Sequence, residues 1–381
     1  MSRMQFLLLF LSLSCCLAPS WASADEQVRL KRAGVEQAIA GQILVEASDG
    51  GLLLEDPDGV LWVLQPGEIV ERKTRDTPFA RSTQDELAAR LLAELGDGFQ
   101  VHTTAHFVIC YETSPAYAQW CGALYERLYR AFLSYWEHRD VVLTEAPAPL
   151  PAIIFKDKAS YVEYASAEFG EAAAATIGYY SIRSNRVLMY DLTGADAQQF
   201  GRSTQAAHIN AILTRRGAER TVATIVHEAT HQIAFNCGLH TRYADIPLWV
   251  SEGVAMYFET PDLGSSRGWR TIGAVNRTRL LEFKQALRDR PAGRLAELIA
   301  DDALFRNTAS AAAAYPEAWA LNYYLLKRMP KEYAGYLKKL SERKPVDYAT
   351  PDERLADFKE FFGEDLAQLE VEYLRAMRAL R

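Results

Sequence analysis

The sequence predicts an α+β fold: a small antiparallel β unit in front, then a mixed sheet, then a mostly helical C-terminal half. Three observations carry this. Between Ala40 and Glu71, short apolar runs alternate with Asp-Gly and Gly-Gly pairs, the texture of hairpins. From about residue 99 to 190, strand-like runs alternate with amphipathic stretches. From Ala218 onward, apolar residues recur at helical spacing with hardly a strand-like run between them.

Taken in order, residues 25–35 are polar and read as loose chain. Residues 42–45, 51–54 and 60–64 read as strands, with turns at Asp49-Gly50-Gly51 and Asp58-Gly59. They suit a small, barrel-like unit with a binding or packing role, and no catalytic cluster lies in it. Residues 73–84 are polar and read as a linker. Residues 83–95 form a helix: Thr83 is the N-cap, Glu86 completes a capping box, and Gly96-Asp97-Gly98 ends it. A strand over 104–111, a helix over 117–137, a turn at 147–151, a buried strand over 152–155, a helix over 159–169 and a strand over 186–190 follow. Helices are then expected at 218–236 (ended by Gly238), 247–259, 276–289, 317–327, 332–342 and 366–380. Pro316 is suited to the first position of its helix. The organisation expected is 1–24 as an export signal, 25–97 as the β unit with its linker helix, and 98–381 as the main domain.

The export signal rests on Arg3, an apolar run over 5–13 and Ala22-Ser23-Ala24, a small-x-small cleavage pattern. The run is too short to span a bilayer as a helix. The expectation is an exported chain, periplasmic or secreted. Leu13-Ser14-Cys15-Cys16 loosely matches a lipidation box, so anchoring through Cys15 or Cys16 is the alternative. No second run of spanning length follows, so no transmembrane segment is expected. The formal net charge is −7, which argues against a nucleic-acid partner. Nothing in the sequence specifies a subunit interface. Cys110, Cys121 and Cys237 remain after cleavage. An oxidising compartment allows one disulfide, and proximity in sequence selects Cys110 with Cys121, leaving Cys237 as a buried thiol.

Chemistry concentrates at Val226-His227-Glu228-Ala229-Thr230-His231. On a helix, residues four apart share a face, so His227 and His231 can reach one metal ion and Glu228 can reach a water on it. Val222, Ile225, Val226, Ile233 and Ala234 supply the apolar stripe. A catalytic zinc site needs three protein ligands and one open position. The metzincin pattern asks for Gly at 234 and His at 237, where this chain has Ala234 and Cys237. His240 lies in a loop beyond a Gly stop and is a minor candidate. Glu252 is the better third ligand. It sits in Leu248-Trp249-Val250-Ser251-Glu252-Gly253-Val254-Ala255, far enough along for a second helix to return antiparallel. A carboxylate with such apolar flanks needs a compensating cation.

The pair His-Glu-Ala-Thr-His and Trp-Val-Ser-Glu-Gly-Val-Ala resembles the gluzincin zinc metallopeptidases, in the thermolysin and aminopeptidase-N branches. The stretch Leu239-His240-Thr241-Arg242-Tyr243-Ala244-Asp245 is closer to a bacterial group of the peptidase-MA-like superfamily, catalogued mainly as a domain of unknown function. The resemblance runs from about Phe99 to the C-terminus. It implies a thermolysin-like domain over 98–381, one Zn2+ per chain held by His227, His231 and Glu252, and Glu228 as general base on a metal-activated water. A peptide or protein would be the substrate. Ala314-Tyr315-Pro316-Glu317-Ala318 resembles the helix whose leading Tyr stabilises the oxyanion, which gives that role to Tyr315; its alternative is a core aromatic beside Trp319 and Tyr323. The gluzincin edge strand would map to 186–190, which is equally readable as a plain sheet strand. Glu259 could support a ligand His, but the reading preferred is a helix-end charge. There is no Gly-Ala-Met-Glu-Asn segment, so exopeptidase action has no support. Two other functions fit the sequence: a catalytically silent, zinc-containing envelope binding protein, and a zinc hydrolase of a non-peptide bond.

Overall fold

The computed structural model describes residues 24–193, 219–260 and 271–381. The expected export signal and lipidation box lie outside these, apart from Ala24. The α+β expectation holds: an N-terminal antiparallel sheet, a mixed sheet, and a mostly helical C-terminal half.

The first sheet has five strands, β1 (Ala24–Arg32), β2 (Val35–Glu46), β3 (Leu52–Glu55), β4 (Leu61–Leu64) and β5 (Ile69–Pro78). Their spatial order is β4-β3-β2-β1-β5, every pair antiparallel. The two edges, β4 and β5, are consecutive in sequence and joined by one 3-10 turn at Pro66–Glu68, so the sheet must curl strongly to bring them together. Two expectations fail here. Residues 25–35 are not loose chain, and the linker expected at 73–84 is strand as far as Pro78. Both segments look polar because one face of the ribbon is solvated. Val28 and Leu30 alternate inward to the small core, and Asp25 and Glu26, also buried, are paired with Arg75 and Arg72.

A five-residue link leads to α1 (Gln84–Leu95), capped at Thr83 with Glu86 completing the box, as expected. The second sheet contains β6 (Gln100–Thr103), β7 (Phe107–Tyr111), β8 (Leu150–Phe155), β9 (Gly178–Tyr180) and β10 (Val187–Tyr190) in the order β6-β7-β8-β10-β9. The β7–β8 and β8–β10 pairs are parallel and the outer two antiparallel. Its faces are covered differently. Phe107, Ile109 and Tyr111 point to the large core with α2 (Pro115–Glu137), whereas Val108 and Cys110 point to a smaller core with α1 and α3 (Lys158–Phe169). This alternation overturns the expected disulfide. Cys110 lies on one face of the sheet and Cys121, on α2, behind the other; all three described cysteines are free and buried.

The helical half begins with α4 (Glu219–Asn236), ended by Gly238 at φ +87, and α5 (Leu248–Phe258). Then come α6 (Arg277–Ala286), α7 (Arg294–Ala300), α8 (Ala303–Arg306), α9 (Thr308–Arg328), α10 (Pro330–Ser341), α11 (Pro351–Phe362) and α12 (Leu366–Ala379). Of these, α7, α8 and α11 were not anticipated. Helix α9 starts well before residue 317, because Asn307 caps it and the Ala-rich run that follows has high helix propensity. Pro316 is therefore inside the helix rather than at its first position.

The N-terminal sheet is fastened to the rest of the chain. Leu61 donates its amide to Arg183 (2.8 Å), and Arg242 reaches the Gly59 carbonyl (2.7 Å) and the Glu55 carboxylate (2.8 Å).

Candidate metal centre

Helix α4 presents its apolar stripe, Val222, Ile225, Val226, Ala229 and Ile233, to the main core between α2 and α5. That fixes its rotation and turns His227 and His231 toward α5. Helix α5 is buried along most of its length, and Gly253 lets it approach α9 so closely that a side chain there would strike Asn322. Glu252 is thereby carried to the two imidazoles.

The donors converge. His227 Nε2 lies 3.0 Å from His231 Nε2 and 3.2 Å from Glu252 Oε2, and His231 Nε2 lies 3.5 Å from Glu252 Oε1. Ligands about 2.0–2.1 Å from a tetrahedral zinc stand about 3.3–3.4 Å apart, so the spacing suits such an ion. Among the described residues, His227, His231 and Glu252 form the one group of donors that could hold a metal. Two imidazole nitrogens facing each other at 3.0 Å would otherwise set lone pair against lone pair, or require a proton between them. Burial disfavours a charged Glu252, but His231 and the hydrogen bond from His227 outweigh it and hold its carboxyl below the usual range.

A further carboxylate stands behind this group. Glu259 Oε1 lies 2.9 Å from His227 Nδ1, and Glu259 is in turn held by Arg279 (2.9 and 3.1 Å) and by Asn276 (3.0 Å). It is 7% exposed. The helix-end-charge reading of Glu259 is thus wrong: it accepts a hydrogen bond from Nδ1 of His227 and turns Nε2 toward the other donors, where a metal can take the place of the Nε2 proton.

Glu228 is the neighbour of His227 on the helix, and its Oε2 accepts the backbone amide of Tyr180 on β9 at 2.9 Å. Burial pushes its carboxyl above the ordinary value against the charges of His227 and His231, with Glu252 adding to the rise. Tyr315 is partly buried and meets Phe305 edge-on. Burial, then the nearby charges of Glu252 and Glu228, push its hydroxyl up to about 12. Tyr315 thus lies within electrostatic reach of Glu252 and Glu228, while the ring contact it makes is with Phe305. His240 is left out of the donor group. It is fully buried against Phe235, with neither ring nitrogen meeting a hydrogen-bond partner among the described residues, and burial with the charge of His231 lowers it to about 3. The edge-strand expectation moves as well. Strand 186–190 is interior, paired on both sides, and the edge beside the site is β9.

Gln232 and Asn236, which the sequence reading passed over, continue the face of Glu228 at intervals of four. Gln232 Nε2 donates to the carbonyls of Asn185 (2.7 Å) and Pro151 (2.8 Å), and Asn236 exchanges side-chain hydrogen bonds with Asn185. The i, i+4, i+8 spacing was a visible signal; the hairpin it grips was not.

Residues 221–347 match the model of a family described as a protein of unknown function, DUF1570. The match takes in the whole donor group and Tyr315. No curated protein matches the chain.

Proposed function

We propose that the chain is an exported zinc-dependent peptide hydrolase of the gluzincin type. The observation that carries this reading is the joint placement of His227, His231 and Glu252 at ligand spacing with Glu228 beside them. A structural zinc clasp would need no such base. A bound zinc ion would supply a water of lowered pKa and a polarised scissile carbonyl. His227, fixed by Glu259, and His231 present their Nε2 atoms to that ion, and Glu252 presents its carboxylate. Glu228 has one oxygen committed to the Tyr180 amide, so its other oxygen accepts the proton from water and returns it to the leaving amine. The Tyr315 hydroxyl, kept protonated by burial and the neighbouring carboxylates, donates to the developing oxyanion.

Mass-spectrometric profiling of a peptide library tests the reading, with metal content measured on the same preparations. Wild type should carry about one zinc per chain. Glu228→Gln should keep the zinc and lose cleavage by about two to four orders of magnitude. Cleavage by Glu228→Gln at the wild-type rate, or none by zinc-loaded wild type, sinks it.

A further inference from the structure

The turn between β9 and β10 is built around Asn185, whose backbone is left-handed, at φ +61. Asparagine tolerates that conformation better than most residues, and glycine tolerates it best. If only the backbone mattered, the side chain could be idle. It is not. Asn185 is 1% exposed, and its amide forms a reciprocal pair with Asn236: Nδ2 donates to Asn236 Oδ1 (2.9 Å), and Asn236 Nδ2 donates to Asn185 Oδ1 (2.7 Å). The Tyr180 hydroxyl donates to the same Asn185 Oδ1 at 2.8 Å. Gln232 holds the Asn185 carbonyl, and the Tyr180 ring stacks on Phe235. The turn is gripped on its other side by the N-terminal sheet, through Leu61 on Arg183 and Arg242 on Ile182 (3.3 Å).

These contacts share a geometry. Glu228, Gln232 and Asn236 form one polar row on α4, and the hairpin lies along it. At one end the row meets Asn185; at the other, the Tyr180 amide meets Glu228. Strand β9 has only three residues and, among the described strands, pairs on one side only, so β10 alone does not fix where that amide points.

We propose that Asn185 is a positioning residue: by locking the β9–β10 turn to Gln232 and Asn236, it holds the Tyr180 amide on Glu228 Oε2 and so fixes the orientation of the base. The role rests on the hydrolase reading for its functional consequence, but not for its structural one. A carboxylate with one oxygen anchored loses its freedom to rotate, and its second oxygen keeps one direction.

Asn185→Gly separates the two uses of the residue, since it keeps the left-handed backbone and removes the side-chain bonds. Asn236→Ala breaks the same pair from the helix and leaves the turn residue intact, so it carries the test if Asn185→Gly does not fold. Amide hydrogen exchange at Tyr180 is read on the zinc-loaded full chain, with Glu228→Ala marking the rate of a released amide. Both variants should speed exchange at Tyr180 by about tenfold or more, toward that mark, while the rest of α4 stays protected. In peptide cleavage kcat should fall by about tenfold or more with KM little changed, as misplacement of a reacting group predicts. Wild-type exchange at Tyr180 in the variants overturns the proposal, and so does faster exchange with unchanged kcat. If the zinc-loaded wild type cleaves no peptide, the hydrolase reading falls by itself. The Tyr180 exchange rates then still decide the positioning role: loss of protection upholds it, and retention ends it.

Discussion

His227 is held at both nitrogens, Nε2 facing Glu252 and Nδ1 bound to Glu259. Burial disfavours the charged ring, but the bonds to Glu252 and Glu259 hold it well above its ordinary value, so the ring is protonated and already oriented when a metal displaces the Nε2 proton. Tyr315 is less constrained and gives the sharper test. If its hydroxyl donates to the oxyanion, the bond is stronger in the transition state than in the ground state. Tyr315→Phe should then lower kcat by about two to three orders of magnitude, with melting temperature nearly unchanged because the ring still packs on Phe305. Turnover close to wild type would return Tyr315 to the core. The Tyr257 hydroxyl accepts from Tyr135 at 2.9 Å inside an aromatic cluster. His227 and His231 were legible because a helix turns a spacing of four into a shared face, and Glu252 because its apolar flanks marked a buried helix. Glu259 was not, since its meaning depends on Arg279 and Asn276, which follow it by 20 and 17 residues in the sequence.

At the scale of elements, the approach of α5 to α9 decides whether Glu252 reaches the imidazoles. In an exposed helix Gly→Ala stabilises by about 1 kcal/mol. At Gly253 the sign should reverse. A Cβ there would lie 1.7 Å from Asn322 Nδ2 and 2.8 Å from the Ala318 carbonyl oxygen. Asn322 cannot yield easily, since it bonds the Trp249 and Ala318 carbonyls and accepts the Tyr333 hydroxyl. Overpacking of this kind costs about 1–3 kcal/mol. Gly253→Ala should therefore lower the melting temperature and loosen metal binding; an unchanged or higher melting temperature would show that the helices can part. Helices with strong periodicity or caps, such as α1 and α2, could be read from the sequence. Strands β1 and β5 could not, because a ribbon with one solvated, ion-paired face has the composition of a loop. Helix α9 was read too short because Pro316 suggested a start, whereas the Ala-rich run ahead of it and the Asn307 cap decided otherwise.

For the molecule as a whole, the join between the N-terminal sheet and the helical half is electrostatic. Glu55 is 5% exposed and accepts from Arg81 (2.8 and 2.9 Å) and from Arg242, 187 residues away in sequence. No local pattern announces a pair so distant. Burial disfavours the Glu55 carboxylate, but Arg81 and Arg242 overcome it and hold it below its ordinary value of 4.5. Because the folded value is the lower one, this stabilisation is full above the unfolded value and is lost as pH falls through the folded value. Glu55→Gln should weaken the fold at neutral pH, by up to about 3–5 kcal/mol if the arginines are left uncompensated. It should also flatten the loss of stability below about pH 4.5. Parallel melting-temperature profiles for the two proteins through that range would count against the join. The thiols carry a different consequence. Cys110 and Cys237 are buried, and burial pushes them up to about 12 and about 11, while Cys121 is raised well above its ordinary value. Thiolate is the reactive form, so none of the three invites oxidation, mixed crosslinks or repair by an isomerase. The described residues hold this fold without a disulfide, so it can be reached in a reducing or an oxidising medium alike.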